Sequence, residues 1–456
     1  DRSVSRGLGD VYKRQIYTTA TSAYSVTSTT GVRKYRHPYA VFSTYANINI
    51  ENGSKLYNTN SGNYYRMIES YYGDVTIDST SRVEGRIIPG QGTINIDGYV
   101  ARIDDCKFHK YSTADNTNIV TLNITGTLDN FSTEGGVRYK INVSQNGVFN
   151  MITWSNFDWT KVQTTTCFDF TISDNAVATF PQYPYATMTP CTITILGGTI
   201  NGNLWLTHGS TLYMENGRIN GGIKSIQSTM NIKSGTIECS NSAYYAFEEC
   251  ILLADGSCTI TGGTFISANG KQVILCEGSG TTLDIQGGTF KSTSTLDSNN
   301  LILAKMATKC KISGGTFINN RALHAAVATK DSATLEVTGG SFEGIGKAIA
   351  IESASSVSIT GGKYKSDRGI WFNTICSPST IKISNITTEG YEGIRTYYGD
   401  GTATTRINTI NIENSEISSY VYLATTPQTG TFQANITSSS INNPVSYTHL
   451  RAHETL

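Results

Sequence analysis

Two short stretches hold the side chains best suited to recognising or cutting a sugar chain: SDRGIWFN at 366–373 and EGIRTYYGD at 392–400. They supply Asp367, Arg368, Trp371, Glu392, Arg395, Tyr397, Tyr398 and Asp400. Aromatic faces pack on sugar C–H groups, and carboxylates and arginines hydrogen-bond hydroxyls, so these residue types gathered on one surface suit an oligosaccharide groove. The same carboxylates would serve as acid and base if two of them flanked one glycosidic bond or one acidic C–H. Decoration of a structural edge, with no ligand, is the plain alternative.

Other groups are weaker. Asp104 and Asp105 form a carboxylate pair with His109 close behind, but adjacent strand residues point to opposite faces, which favours one turn residue and one solvated charge. His208 stands alone in THGS. Glu248, Glu249 and Glu277 follow successive repeat origins by similar distances and could stack as an acidic edge for a cation, though solvated loop carboxylates are the simpler expectation. Nine cysteines without a CxxC pair suggest neither a disulfide framework nor a zinc site; Cys258, Cys310, Cys250 and Cys276 fall in apolar slots and read as small buried hydrophobes. Asn123, Asn142, Asn385 and Asn435 match the glycosylation triplet, which a chain rich in Asn and Thr writes by chance. SGNYYRMIESYYGD (61–74) and WSNFDW (154–159) add aromatic clusters, of which Trp154 or Trp159 could simply fill a wide coil. No cofactor or metal is implied.

What must position these residues is a repeat. CTITGGTF (258–265), LDIQGGTF (283–290) and CKISGGTF (310–317) are near copies. With the second Gly of each corner as origin, the series runs Gly198, Gly217, Gly235, Gly263, Gly288, Gly315, Gly340 and Gly362. The spacing averages about 23 residues, within the span of solenoid periods. Three residues before each origin lie Ile195, Met214, Ile232, Ile260, Ile285, Ile312, Val337 and Ile359, and two residues after it lie Ile200, Ile219, Ile237, Phe265, Phe290, Phe317, Phe342 and Tyr364. Apolar and polar positions alternate between them, which is the pattern of a strand with one buried face. A second apolar run precedes each next corner: ILLA (251–254), VILC (273–276), LILA (301–304), AIAI (348–351) and GIWF (369–372). Each turn therefore has at least two inward-facing strands, and the diglycine, Asn-Gly or Asp-Asn corners share a tolerance for left-handed backbone. Looser copies at 47–56, 93–100, 122–128, 141–149 and 170–177 carry the frame upstream, and Ile383, Ile412 and Ile436 carry it downstream, so the repeat spans 45–443 after an irregular entry segment at 16–44.

One turn cannot stand alone, since its few buried side chains do not offset the entropy of ordering some two dozen residues. Stacking resolves this by covering every open strand edge with the next coil. At about 4.8 Å per coil, some sixteen coils give a stiff rod about 80 Å long. The bulk numbers agree. Only 15% of the 456 residues are charged, Gly reaches 44 and Tyr 26, and the net charge is +0. No basic stripe suits nucleic acid, and no run approaches the 18 apolar residues of a membrane span. DRSVSRGLGDVYKRQ (1–15) and the segment 444–456, ending VSYTHLRAHETL, share nothing with the repeat and resemble translated sequencing-adapter sequence, so the native termini and any signal they carried are read as lost.

Strand, ITGGTF corner, short apolar strand and Gly-Ile start (GIKS, RGIW, EGIR) together resemble the right-handed parallel β-helix of pectin-lyase-like proteins, the architecture of pectate lyases, polygalacturonases, phage tailspikes and bacterial surface adhesins. The resemblance implies an all-β fold, a single right-handed solenoid of about sixteen coils, and specifies function poorly. THGS lacks the flanking Gly of the polygalacturonase GHG motif, and no NTD or RIK partner is present. Two functions follow as expectations. The first is a non-catalytic extracellular or virion rod, a tail fibre, tailspike shaft or adhesin, that binds cell-surface or extracellular polysaccharide and forms a homotrimer. The alternative is a polysaccharide lyase or glycoside hydrolase using carboxylates near 367–400.

Overall fold

The structure, a computed structural model, describes residues 15–18, 24–27, 33–36, 41–43, 45–58, 66–104, 119–132, 138–151, 168–180, 190–207, 209–239, 249–268, 271–293, 299–372, 380–396, 409–423 and 433–442. Among them every regular element is a strand, and nearly every pairing is parallel. The chain is an all-β parallel β-helix solenoid. It divides into two compact units, residues 1–180 and 181–456.

In the second unit the diglycine frame sets the register. Ile195 pairs with Met214, which pairs with Ile232, then Ile260, Ile285, Ile312, Val337 and Ile359. Ile383, Ile412 and Ile436 continue the same row where the glycines have gone. A coil typically contributes three strands, as in Thr282–Ile285, Thr289–Ser292 and Ile302–Lys305, and where the second and third merge it contributes two, as in Ala333–Val337 and Ser341–Ile351. The first lies in one sheet and the rest in the second.

The row after each corner holds the largest side chains. Phe265, Phe290, Phe317, Phe342 and Tyr364 are fully or almost fully buried and stack ring on ring, with centroids 4.7, 5.0, 4.7 and 4.9 Å apart and planes within 6–9°. The coil rise of about 4.8 Å sets those centroid distances, which fall within the range of favourable aromatic pairs. Tyr364 ends the stack and donates its hydroxyl to the Gly361 carbonyl at 2.8 Å, so its polar tip is satisfied inside the coil.

The corners adopt the backbone their composition suggested. Gly263, Gly288 and Gly315 have φ of 98°, 100° and 100°, a region a side chain rarely enters. Where glycine is absent, Asn414 and Ser438 take the left-handed turn at φ 47° and 50°. Beside another corner, the fully buried Arg321 guanidinium donates to the Asn299 carbonyl, to the Lys271 carbonyl at 3.0 Å and to Ser292 Oγ at 2.7 Å. One side chain thus ties three successive coils together.

The first unit repeats the scheme with different spelling. Ile48 and Ile50 pair with Val75 and Ile77, then Ile94 and Ile96, Leu122 and Ile124, Ile141 and Val143, and Phe170 and Ile172. The coil at Val75–Ile77 has no Gly-Gly or Asn-Gly corner, so nothing in its spelling marks it as a copy of the repeat. Within the entry segment, Tyr24–Thr27 pairs antiparallel with Arg33–Arg36.

Candidate ligand-binding face

The strands Lys363–Phe372, Glu392–Thr396 and Tyr420–Leu423 lie on successive coils. Ile370, Ile394 and Val421 form one inward row, with Phe372, Thr396 and Leu423 beside it. The residues between these rows, Trp371, Arg395 and Tyr422, stack in register on the outer surface. The Gly of each Gly-Ile start has a close-packing role. A Cβ on Gly369 would come within 2.2 Å of the Gly393 carbonyl oxygen, and one on Gly393 within 2.7 Å of Ile417. Bare backbone there lets the coils approach at the point where the chain enters the face.

Four of the expected residues meet around one ring. The indole N–H of Trp371 donates to Glu392 at 2.9 Å across a coil boundary, and the other oxygen of Glu392 accepts from Arg395. Arg395 lies over both Trp371 and Tyr422, with its guanidinium carbon 4.8 and 5.0 Å from the ring centroids. Arg368 is 5.2 Å from the Trp371 centroid. Asp367 is exposed at the adjoining corner, where its carbonyl accepts from the Tyr391 amide at 3.1 Å. Tyr397, Tyr398 and Asp400 lie outside the described residues.

The structure adds residues that the two motifs did not reveal. Lys347, one coil earlier, is 4.5 Å from the Trp371 centroid. Tyr391 and Tyr420 meet edge to face at 5.6 Å. The spacing of YVYL (420–423) against RGIWF (368–372) carried the signal for Tyr422, since both place an aromatic between two inward residues. Nothing local marked Lys347, whose place follows from register alone.

The other expected groups resolve differently. Asp104 is neither a turn residue nor a solvated charge: it ends a strand, is largely buried, and pairs with Arg86 at 3.0 Å and Arg102 at 2.5 Å. Arg66, Arg86 and Arg102 are register partners on successive coils, and Arg66 also faces the buried Glu69 at 3.4 Å. The recurring Arg-apolar pairs in RMIES, RIIPG and RIDDC were the visible trace of this row. Asp105, His109, His208, Glu248, Trp154 and Trp159 lie outside the described residues. The acidic edge does not form at Glu277, whose register partners are Ala254 and Lys305 and whose carboxylate pairs with Lys305 at 3.0 Å.

Cys250, Cys258, Cys276 and Cys310 are buried, as their apolar slots required, and burial pushes each thiol upward, Cys258 and Cys310 to about 12. The Asn142 side-chain amide donates to Asn123 at 2.9 Å, and Asn123 donates to Asn95 at 2.9 Å, so two of the glycosylation triplets belong to a ladder running along the coils. Asn435 donates to Asn411 in the same manner at 2.8 Å.

Stacked parallel coils with a side-chain face laid across several of them define the class: a parallel β-helix protein. No family model matches the chain, and neither does any curated protein or solved structure.

Proposed function

We propose that this protein binds glycans, without cleaving them, through the outer face built from Arg368, Trp371, Glu392, Arg395, Tyr391, Tyr420 and Tyr422. The observation that carries this reading is the state of Glu392. Both of its oxygens are engaged, one by the Trp371 indole and one by Arg395, so it holds the face rigid and is poorly placed to exchange a proton with a substrate. What the face offers outward is aromatic surface and hydrogen-bond donors on a stiff scaffold, which suits recognition with little loss of side-chain freedom.

Under this reading the coils are a shaft that displays the face along its length, in the manner of an extracellular or virion fibre or a surface adhesin, and a homotrimer is its natural assembly. The test is a glycan array probed with the full chain and with Trp371→Ala, run beside reducing-end and unsaturated-uronate assays on the polymers retained. Retention without turnover, weakened at least tenfold by Trp371→Ala, is the expected outcome. Turnover abolished by Asp367→Ala would replace binding with catalysis. Light scattering at micromolar concentration checks the assembly, and a monomer there would remove the trimer.

A further inference from the structure

The outward column that carries Trp371 extends well upstream of the face described above, and it holds the same device twice. Register pairs run without a break from Trp205 through Lys224, Leu252, Leu275, Leu303, Ala328 and Ala350 to Trp371, Arg395 and Tyr422. At the upstream end Trp205 stands between the inward Leu204 and Leu206, as Trp371 stands between Ile370 and Phe372. In both places a cation on the next coil lies over the ring. The Lys224 ammonium is 4.6 Å from the Trp205 centroid, and the Arg395 guanidinium carbon is 4.8 Å from that of Trp371. A half-buried indole braced in this way loses little freedom when a ligand docks against it.

Between these two ends the column is uncharged. Outward positions of a sheet with one buried face are ordinarily polar, yet Leu252, Leu275, Leu303, Ala328 and Ala350 follow one another on successive coils. Their exposure is graded. Leu252 and Leu275 are half-buried beside Lys224, whereas Leu303, Ala328 and Ala350 are 9%, 0% and 6% exposed and pack with Ala325 in a small apolar cluster of their own. The middle of the column is therefore closed, and a ligand finds contacts at its two ends. Two residues further along the chain, ion pairs join Glu277 to Lys305 at 3.0 Å and Lys330 to Glu352 at 2.7 Å, so the charges beside the column engage one another.

We propose that Trp205 and Lys224 form a second sugar contact, and that the ligand is a long linear polysaccharide laid along the coil axis and held at both ends of the column, an inference that rests on the glycan-binding reading above. Seven register steps part the two indoles, roughly 34 Å at about 4.8 Å per coil. One ring of an extended pyranose chain adds about the length of one coil, so a chain of fewer than about seven rings reaches one end at a time. A longer chain held at one indole meets the other as an intramolecular partner, and the stiff solenoid fixes the separation at which it does so. The closed, uncharged middle lets the chain cross without breaking an ion pair. Chain length is then what the column selects.

The experiment titrates the full chain calorimetrically with tetramers and dodecamers of xylan, polygalacturonate and hyaluronan. For at least one of the three, two tetramers should bind per chain, and one dodecamer should bind at least tenfold more tightly than a tetramer. Trp205→Ala should lower the tetramer count from two to one and remove the dodecamer's advantage, while the remaining tetramer keeps its affinity. Trp205→Phe, which leaves a ring in the slot, should keep part of that advantage. A dodecamer preference that survives Trp205→Ala, or equal affinity for short and long chains in the parent, overturns the second contact while leaving binding at Trp371 intact. Loss of tetramer binding altogether in Trp205→Ala, at the parent's urea midpoint, also overturns it, because the two ends would then not be separate contacts. Binding of none of the oligomers overturns both this inference and the reading it rests on.

Discussion

The indole nitrogen of Trp371 lies 2.9 Å from a carboxylate oxygen of Glu392, a residue on the next coil, and Arg395 closes the contact from the other oxygen. A hydrogen bond thus joins two coils on the outside, braced by a charge pair within the second coil, as the aliphatic rows join them on the inside. Truncating the carboxylate should leave the indole N–H and the guanidinium without it. Glu392→Ala is expected to lower stability by about 1–2 kcal/mol, with a smaller loss for Glu392→Gln, which keeps an acceptor for the indole. Urea denaturation of the two variants against the parent checks the difference.

The aromatic column makes a larger claim on stability. Phe317 stacks on both Phe290 and Phe342, so removing its ring opens a cavity between two coils that the fixed coil rise prevents from collapsing. Phe317→Ala should cost about 3–5 kcal/mol. A Phe290→Ala, Phe317→Ala pair should fall short of the sum by about 0.5–3 kcal/mol, because the second substitution removes a ring already missing one neighbour. Thermal and chemical denaturation of the singles and the double give the coupling. Simple addition would mean that the rings pack as independent hydrophobes.

Stability should also decline at alkaline pH for a reason particular to this core. Cys258 and Cys310 are held at about 12 by burial, against an ordinary thiol value of 9.0, and burial also raises Cys276, with its thiol neighbours adding to the effect. Above about pH 9 the unfolded chain releases thiol protons that the folded chain keeps, so the unfolded state binds fewer protons and stability falls as pH rises toward 12. Below that window these groups contribute no slope. Urea midpoints at pH 7.5, 9 and 10.5 should drop, and Cys258→Val with Cys310→Val should flatten the drop. The same thiols should resist aromatic disulfide reagents in the native protein and react once it is unfolded. Rapid native labelling of Cys258 or Cys310 would contradict their burial.

The repeat was legible because a parallel coil imposes the same demand at the same place each time. Ile260, Ile285 and Ile312 had to be apolar to fill the row, and Gly263, Gly288 and Gly315 had to be free of a side chain to turn the corner. The coil at Val75–Ile77 carries no such mark, because its corner, DSTS at 78–81, turns without a glycine and without a positive-φ residue. Asp104 shares a strand face with Arg102, two residues before it, which local alternation shows, and meets Arg86 only through the register between coils, which it does not show.

By itself the sequence determined that the chain winds into stacked parallel coils, which residues line the interior and where the backbone turns, because burial and backbone geometry act residue by residue and repeat with the period. The tertiary structure decided which outward residues become neighbours. Lys347, the pair Arg368 and Trp371, and the pair Glu392 and Arg395 lie on three successive coils, and only the register between coils brings them around one ring. The exposed side of a coil bears no packing constraint, so its chemistry is arranged by the accumulated offsets of every turn before it, a quantity that no single motif contains.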